Sequence, residues 1–318
     1  MNRSEWGSCG LGLSFRQNFW SSLFLVSASM IMSACLVFGK FYFDDIPELK
    51  ATRIHCSKDG WLLFSQLSDV MFLFNPFTDS FIDLPNYIIY RYSLRVALSC
   101  APTSPDSIIF AIGIGTEDGY GGVLIGIFQS GDARWTTLNY QNTDGVKFRC
   151  GVGPVFCNGL FYCLSEFHDK LVGVFDPQKH TWSILPVPPP NLPPMQFRAI
   201  HMVEVKGELL LVFVSYPNKT LIFKLDLSEM KWVETESLNG ATVFVSSHSS
   251  LSATDAPRIS RNSVYFSKYR CYGKSSYFYS FDDCRFHPAN QRHEVPGIEK
   301  AIWIEPPKMS HLLFEELY

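Results

Sequence analysis

Charge is scarce in this chain. Only 18% of its 318 residues are Asp, Glu, Lys or Arg, and 30 acids against 27 bases leave a formal net charge of −3. No dense run of Lys and Arg offsets that balance. Binding to a nucleic-acid backbone needs concentrated positive charge, so no nucleic-acid partner is expected. Cys-x-x-Cys is missing, and no two cysteines lie near a His pair at zinc-finger spacing. The nine cysteines are Cys9, Cys35, Cys56, Cys100, Cys150, Cys157, Cys163, Cys271 and Cys284. An odd, irregularly spaced set argues against a disulfide framework. It implies free, mostly buried thiols in a reducing compartment, the cytoplasm or nucleus. The Gly-x-Ser-x-Gly elbow of a hydrolase is also missing.

Aromatic and aliphatic residues are plentiful: 27 Phe, 14 Tyr and 7 Trp in a chain that is 47% hydrophobic. That composition suits a β-rich, well-packed globule and excludes a disordered regulator. The hydrophobics also recur. Strand-like runs end at Phe74, Phe128, Phe175, Leu225 and Phe281, spaced 54, 47, 50 and 56 residues apart. Seven residues after the first four stand Phe81, Trp135, Trp182 and Trp232; ten after the first three stand Leu84, Leu138 and Leu185. A repeat of about 50 residues has the length of a propeller blade.

Each unit opens with a short apolar run, such as Gly60–Phe64 or Gly159–Cys163, and a second run follows before the anchor. Turn dipeptides Asn75-Pro76 and Asp176-Pro177 come next; Asp226 and Asp282 keep the acid alone. An Asx side chain bonds its own downstream backbone, and Pro presets φ. One blade cannot bury both faces of its sheet, so the aromatic at the seventh position is expected to pack between blades. In the fifth unit Pro288 occupies that position, a departure from the pattern. Phe41–Asp44 and Ile302–Pro306 read as partial units whose pairing would close the ring. The expected fold is all-β, a kelch-like propeller of about six four-stranded blades, with five or seven open, over residues 41–307. Residues 308–318 form a tail.

Residues 1–40 stand apart. Phe19–Phe38 holds no charge, and as a helix its 20 residues would span roughly 30 Å, a bilayer core. Arg16 and Lys40 flank it, while five serines dilute it. It reads as a degenerate lead-in to the first blade, as a single membrane anchor, or as a signal peptide with Ser27-Ala28-Ser29 as cleavage site.

Chemistry-bearing motifs are sparse. The Gly-rich run Ile112–Gly122 lacks the Gly-Lys-Ser/Thr ending of a phosphate loop and joins two strands, so it reads as a hairpin loop. Pro186–Pro194 reads as a rigid connector between blades, or as a ligand for a polyproline-binding domain. Eight histidines are scattered, and the nearest metal-like set, Asp282, Asp283, Cys284, His287 and His293, fits no standard geometry. Asn218-Lys219-Thr220 is a glycosylation sequon that matters only in a lumenal protein. No catalytic, metal or cofactor-binding residue is assigned, and none of the loop residues is singled out for substrate binding.

Ile54–Leu63 with Phe74–Phe77, Asn158–Tyr162 with Gly173–Pro177, and Trp182–Pro186 together resemble the plant F-box-associated β-propeller family. Met230–Glu234, Thr242–Ser246 and Asn262–Phe266 resemble its later units. The resemblance covers residues 40 to 307. It implies a non-enzymatic substrate receptor of a Skp–cullin–F-box ubiquitin ligase. An F-box would hold a Skp-type adaptor and the propeller would hold a protein substrate. No Trp-x-x-Leu-Pro followed by Leu-Leu-x-x-Ile precedes Lys40, where an F-box pattern would stand. A membrane-anchored or secreted binding propeller, with Phe19–Phe38 at the membrane, and a propeller hydrolase are the rival readings.

Overall fold

The hairpin that ends each unit explains the repeat. Phe74 lies opposite Phe81, Phe175 opposite Trp182, and Leu225 opposite Trp232, so the seven-residue interval is a strand register. Each turn is closed by its Asx side chain. Asn75 Oδ1 accepts from the backbone N–H groups of Phe77 and Thr78 at 2.9 and 3.2 Å; Asp176 Oδ1 accepts from Gln178 and Lys179 at 2.9 and 3.1 Å. Asp226 repeats this with Ser228 and Glu229. A left-handed residue then ends each turn: Asp79, His180 and Met230, with φ of 55°, 52° and 49°. In the fifth unit the register pairs Tyr279 with Phe286, not Phe281 with Pro288. The anchor is therefore Tyr279, two residues earlier than expected. Ser280 replaces the Asx residue and accepts from Asp282 N–H at 3.3 Å, so Asp282 is not the turn's opening acid.

The computed structural model describes the strands at 24–27, 30–35 and 40–45. It also describes residues 52–66, 70–87, 94–114, 122–141, 148–166, 171–193, 197, 199–215, 219–246, 248–254, 261–267, 270–271, 274–288 and 302–305. Near the N-terminus run β1 (Phe24–Ser27), β2 (Met30–Cys35) and β3 (Lys40–Asp45). The first blade is β4 (Arg53–Lys58), β5 (Trp61–Ser65), β6 (Met71–Asn75) and β7 (Ser80–Leu84). The second is β8 (Arg95–Leu98), β9 (Ile108–Ile114), β10 (Val123–Gln129) and β11 (Thr136–Tyr140). The third is β12 (Val155–Cys157), β13 (Leu160–Leu164), β14 (Val172–Asp176) and β15 (Thr181–Leu185). The fourth is β16 (Ala199–Val205), β17 (Glu208–Ser215), β18 (Lys219–Asp226) and β19 (Lys231–Thr235). These four blades are antiparallel. Their first two strands join through two-residue turns with both φ positive, at Asp59-Gly60, Asn158-Gly159 and Lys206-Gly207 but not in the second blade.

The fifth blade breaks the pattern. It contains β20 (Thr242–Val245), β21 (Ser250–Ala253), β22 (Ser263–Phe266), β23 (Arg270–Cys271), β24 (Lys274–Ser280) and β25 (Arg285–Pro288). Its spatial order is β21-β20-β22-β24, and β20 runs parallel to β22. The extra strand β20 is thus inserted between the blade's inner strand and its neighbour. β26 (Ile302–Ile304) pairs with β1 in a further sheet of order β26-β1-β2-β3.

Two expectations change. About six blades were anticipated; five complete blades are laid down between Arg53 and Pro288, one per sequence unit. Nor does the hydrophobic N-terminal segment stand apart as a helical anchor. Within Phe19–Phe38 lie β1 and β2, whose backbones pair with each other, Phe24 opposite Ser33, and with β3 and β26. Absence of charge over 20 residues permits a helix but does not require one, and interstrand hydrogen bonds take its place. Among the described residues no helix is long and apolar enough to cross a membrane.

The core lies between blades. Trp135 packs with Trp61, Leu63 and Tyr87 from the first blade side, its ring 4.3 Å from that of Tyr87 and its Nε1 donating to Pro85 O at 2.8 Å. Trp182 joins Phe148, Phe161 and Phe110 between the second and third blades; Trp232 joins Tyr162 and Leu164 between the third and fourth. Gly173 makes the middle of these possible, since a Cβ there would fall 2.1 Å from Trp182 Cη2. Three of the four aromatics are therefore inter-blade packing. Phe81 stacks on Phe74 at 4.4 Å but stays 39% exposed.

Candidate functional site: the axial mouth

Six strands face the axis, and each touches the next around the ring: β4, β8, β12, β16, β21 and β26, with β26 returning to β4. The insertion in the fifth blade changes this centre. The turn between β20 and β21 meets three other parts of the ring. Ser246 closes the turn by donating from its N–H to Ser249 O at 3.1 Å and from its hydroxyl to the same carbonyl. Ser249 Oγ lies 3.5 Å from Ser57 Oγ of the first blade. On the third-blade side the chain passes so close that a Cβ on Gly153 would sit 2.0 Å from His248 O. Trp303 of β26 donates from Nε1 to Val245 O at 3.1 Å, and its own carbonyl accepts from Ser57 Oγ at 2.5 Å. The turn acts as a plug, held from the first blade, the third blade and the closing strand.

Basic side chains gather around it. Arg53 and Arg95 are the first residues of the neighbouring inner strands β4 and β8. Arg95 Nη2 donates to Gly151 O at 3.2 Å, reaching from the second blade to the third. Arg53 is lowered from the usual guanidinium value by burial and by the charge of Arg95. His55 sits at a bulge in β4, where the register slips between Ile54 and Cys56. Bulges re-aim side chains, and here the imidazole Nε2 meets Ser65 Oγ at 2.8 Å. Its pKa is lowered to about 3, by burial first and then by Arg53, His248 and Arg95. His201 is lowered to about 4 by burial, against the opposing effect of a hydrogen bond with the Ser246 backbone. Both imidazoles are thus neutral near pH 7, and the fixed charge near the plug belongs to the arginines. At the rim Arg149 Nε pairs with Glu166 Oε1 at 3.0 Å.

The His55–Ser65 pair is poorly set for base catalysis. His55 and Ser65 have the spacing of a nucleophile–base pair, but a general base works best with a pKa near the operating pH. A histidine held at about 3 has little affinity for the serine proton. Burial lowers it first, and the cationic groups that add to this are unlike the carboxylate that orients a catalytic histidine.

The histidines looked scattered in sequence, yet His55, His201 and His248 converge here. One signal was legible: Arg53-Ile54-His55 and Ala199-Ile200-His201 place histidine third in two inner strands. The other sequence candidates fall elsewhere. The glycine-rich run joins antiparallel β9 and β10, as a hairpin loop does; its residues 115–121 lie outside the described residues. The proline-rich run is a packed connector, with Val187 buried and Leu192 against the cluster shared by the third and fourth blades. Of the metal-like set, His287 Nε2 meets Asp283 at 3.0 Å, while Asp282 accepts from Asn262 Nδ2 at 2.7 Å. His293 and Asn218 lie outside the described residues.

Blade geometry and sequence similarity agree on the family. The KIB1-4 beta-propeller profile matches residues 27–295. The chain belongs to the KIB1-4 beta-propeller family. Similar proteins come from Arabidopsis thaliana. F-box/kelch-repeat protein At1g57790 is 39% identical over 85% of this chain and 76% of its own length. F-box/kelch-repeat protein At3g18720 is 36% identical over 82% of this chain and 66% of its own length. F-box protein At3g56470 is 30% identical over 82% of this chain and 69% of its own length. The match begins before residue 41, where the propeller was expected to start.

Proposed function

We propose that this KIB1-4 beta-propeller is a non-enzymatic protein-binding module that serves as a substrate receptor of a Skp–cullin–F-box ubiquitin ligase. The observation that carries the reading is the ring itself: blades locked by inter-blade tryptophans around a plugged, basic centre, in a chain whose relatives are F-box proteins. A rigid scaffold of this kind presents loops at fixed positions, which is what selective protein binding needs. In this reading the further sheet, β26-β1-β2-β3, is the closure of the ring. Pairing β26 with the N-terminal strands would close the ring with residues from both ends, and the propeller would run from β1 to β26. The proposal includes a cytoplasmic or nuclear location, a reading supported by the buried free thiols Cys56, Cys150, Cys157 and Cys163.

The test is affinity purification of the full chain from plant cells, with mass spectrometry of the partners. Co-purifying Skp-type adaptor and cullin peptides support the ligase role. A folded chain that captures protein partners without either would refute that role and leave a binding module alone.

A further inference from the structure

We propose that the cleft where the fourth blade meets its connection to the fifth receives an acidic side chain of the bound protein, with an apolar neighbour resting on Val233. The inference rests on the protein-binding reading above and gives it a docking face and a substrate chemistry.

The cleft follows from strand register. Leu210, Lys224 and Val233 lie opposite one another across β17, β18 and β19, so they share one face of the sheet. After Thr235 the chain folds back over this face, and Leu238 joins Val205 and Leu210 in one buried cluster. Between sheet and connection lies a cavity of about 250 Å³, lined by the exposed Lys206, Ser237 and Asn239 and by the Glu208–Lys224 ion pair. That volume is below the roughly 300–1,000 Å³ of small-molecule sites and suits a single side chain.

The outer wall of the cleft is preformed. Asn262 Oδ1 of the fifth blade accepts from Leu238 N–H at 2.7 Å, and Asn262 Nδ2 donates to Asp282 Oδ1 at 2.7 Å. Asn239 N–H donates to Ser237 Oγ at 3.0 Å. Lys206 Nζ spans the gap to Asn239 O at 3.0 Å, and the adjacent Gly207 carbonyl accepts from Asn158 Nδ2 of the third blade at 2.9 Å. One hydrogen-bonded rim thus joins three blades at this face. A site already ordered loses little further freedom on binding.

The lining is net positive, two lysines against one glutamate. Lys224 holds that glutamate, Glu208. Lys206 donates to a carbonyl and, among the described residues, has no carboxylate partner. The other acid of its turn, Glu204, accepts from Gly207 N–H at 2.6 Å. An ammonium carries three donors, so Lys206 keeps donors for a ligand, and a carboxylate oxygen is their strongest complement. A cationic ligand residue would instead have to displace Lys224 from Glu208. Val233, 40% exposed and opposite Lys224, offers apolar surface beside that contact. An acidic residue with an apolar neighbour matches both features.

The experiment is an NMR titration of the full, isotope-labelled chain with the peptides Gly-Gly-Glu-Leu-Gly-Gly, Gly-Gly-Gln-Leu-Gly-Gly and Gly-Gly-Lys-Leu-Gly-Gly. We expect the Glu peptide to shift the amide signals of Gly207, Leu238 and Asn239 saturably, and the Gln and Lys peptides to bind at least about threefold more weakly. Lys206→Gln, in an exposed turn, should weaken the Glu peptide at least about threefold. Lys179→Gln, in an exposed turn of the third blade, should leave it unchanged. If thermal melting shows that Lys206→Gln does not fold, Val233→Thr, which keeps the β-branched shape, carries the comparison and should also weaken the Glu peptide. No shift at these amides, equal binding of the Glu and Gln peptides, preference for the Lys peptide, or undiminished binding in the cleft variant would each overturn the proposal. Capture of protein partners is a separate readout. A chain that captures partners while the Glu peptide ignores the cleft sinks this inference alone. Glu-dependent shifts at the cleft in a chain that captures no protein sink the protein-binding reading alone.

Discussion

Lowering the pH should destabilise this protein through two histidines well before its carboxylates protonate. In the unfolded chain His55 and His201 titrate near the usual 6.5; in the fold they sit at about 3 and about 4. A depressed histidine is neutral in the native state, so its contribution is present in full above the unfolded value and is lost as pH falls toward the folded one. At pH 5 each unfolded imidazole binds most of a proton that its folded counterpart refuses, which by linkage costs about 2 kcal/mol per histidine. Together they remove about 4 kcal/mol, a large share of the roughly 5–15 kcal/mol typical of a folded domain. Asp176 and Asp226 are lowered by hydrogen bonds from the Lys179 backbone and the Ser228 hydroxyl, so their losses come at lower pH. The window from pH 7.5 to 5 therefore isolates the histidines. The assay is urea denaturation across that window, with His55→Gln and His201→Gln alongside. The parent's slope should approach an uptake of two protons, and each variant should lose about one. A flat parent profile, or variants with the parent's slope, would refute the buried-imidazole account.

Four further outcomes can be checked by thermal or urea melts. Trp135→Ala removes the stacking on Tyr87 and the bond to Pro85 O, and should cost about 3–5 kcal/mol, with Trp135→Phe recovering part of it. Gly153→Ala forces a Cβ toward His248 O and should cost about 1–3 kcal/mol by overpacking the plug, whereas Gly126→Ala should clash instead with Tyr87, 1.9 Å from the new Cβ, and loosen the first blade boundary. Asn75→Ala leaves two turn N–H groups without their acceptor and should cost about 1–2 kcal/mol.

The repeat was legible because it is a hairpin register. Asn75 and Asp176 enforce the same turn, so anchor and aromatic fall seven apart wherever that turn occurs. Where Ser280 replaces the acid, Asp282 imitated it two residues downstream, and the anchor was misplaced at Phe281. The inserted strand β20 was hidden for a different reason. Thr242–Val245 has the β-branched, aromatic composition of any blade strand, and composition does not reveal a parallel neighbour. The N-terminal strands were obscured because Phe24, Leu25 and Val26 are all apolar, without the alternation that marks a half-exposed strand, so length alone suggested a helix. The axial cluster was least legible. His55 reaches its position through a bulge, and its neighbours come from three distant stretches that only ring closure brings together.

The most direct test of the receptor role is the half-life of co-purifying proteins. Each captured partner would be followed after translation arrest in plants lacking the chain and in plants with excess chain. The account predicts at least one partner that persists without the chain and disappears faster in its excess, with both effects blocked by proteasome inhibition. Unchanged half-lives for every captured partner would contradict it.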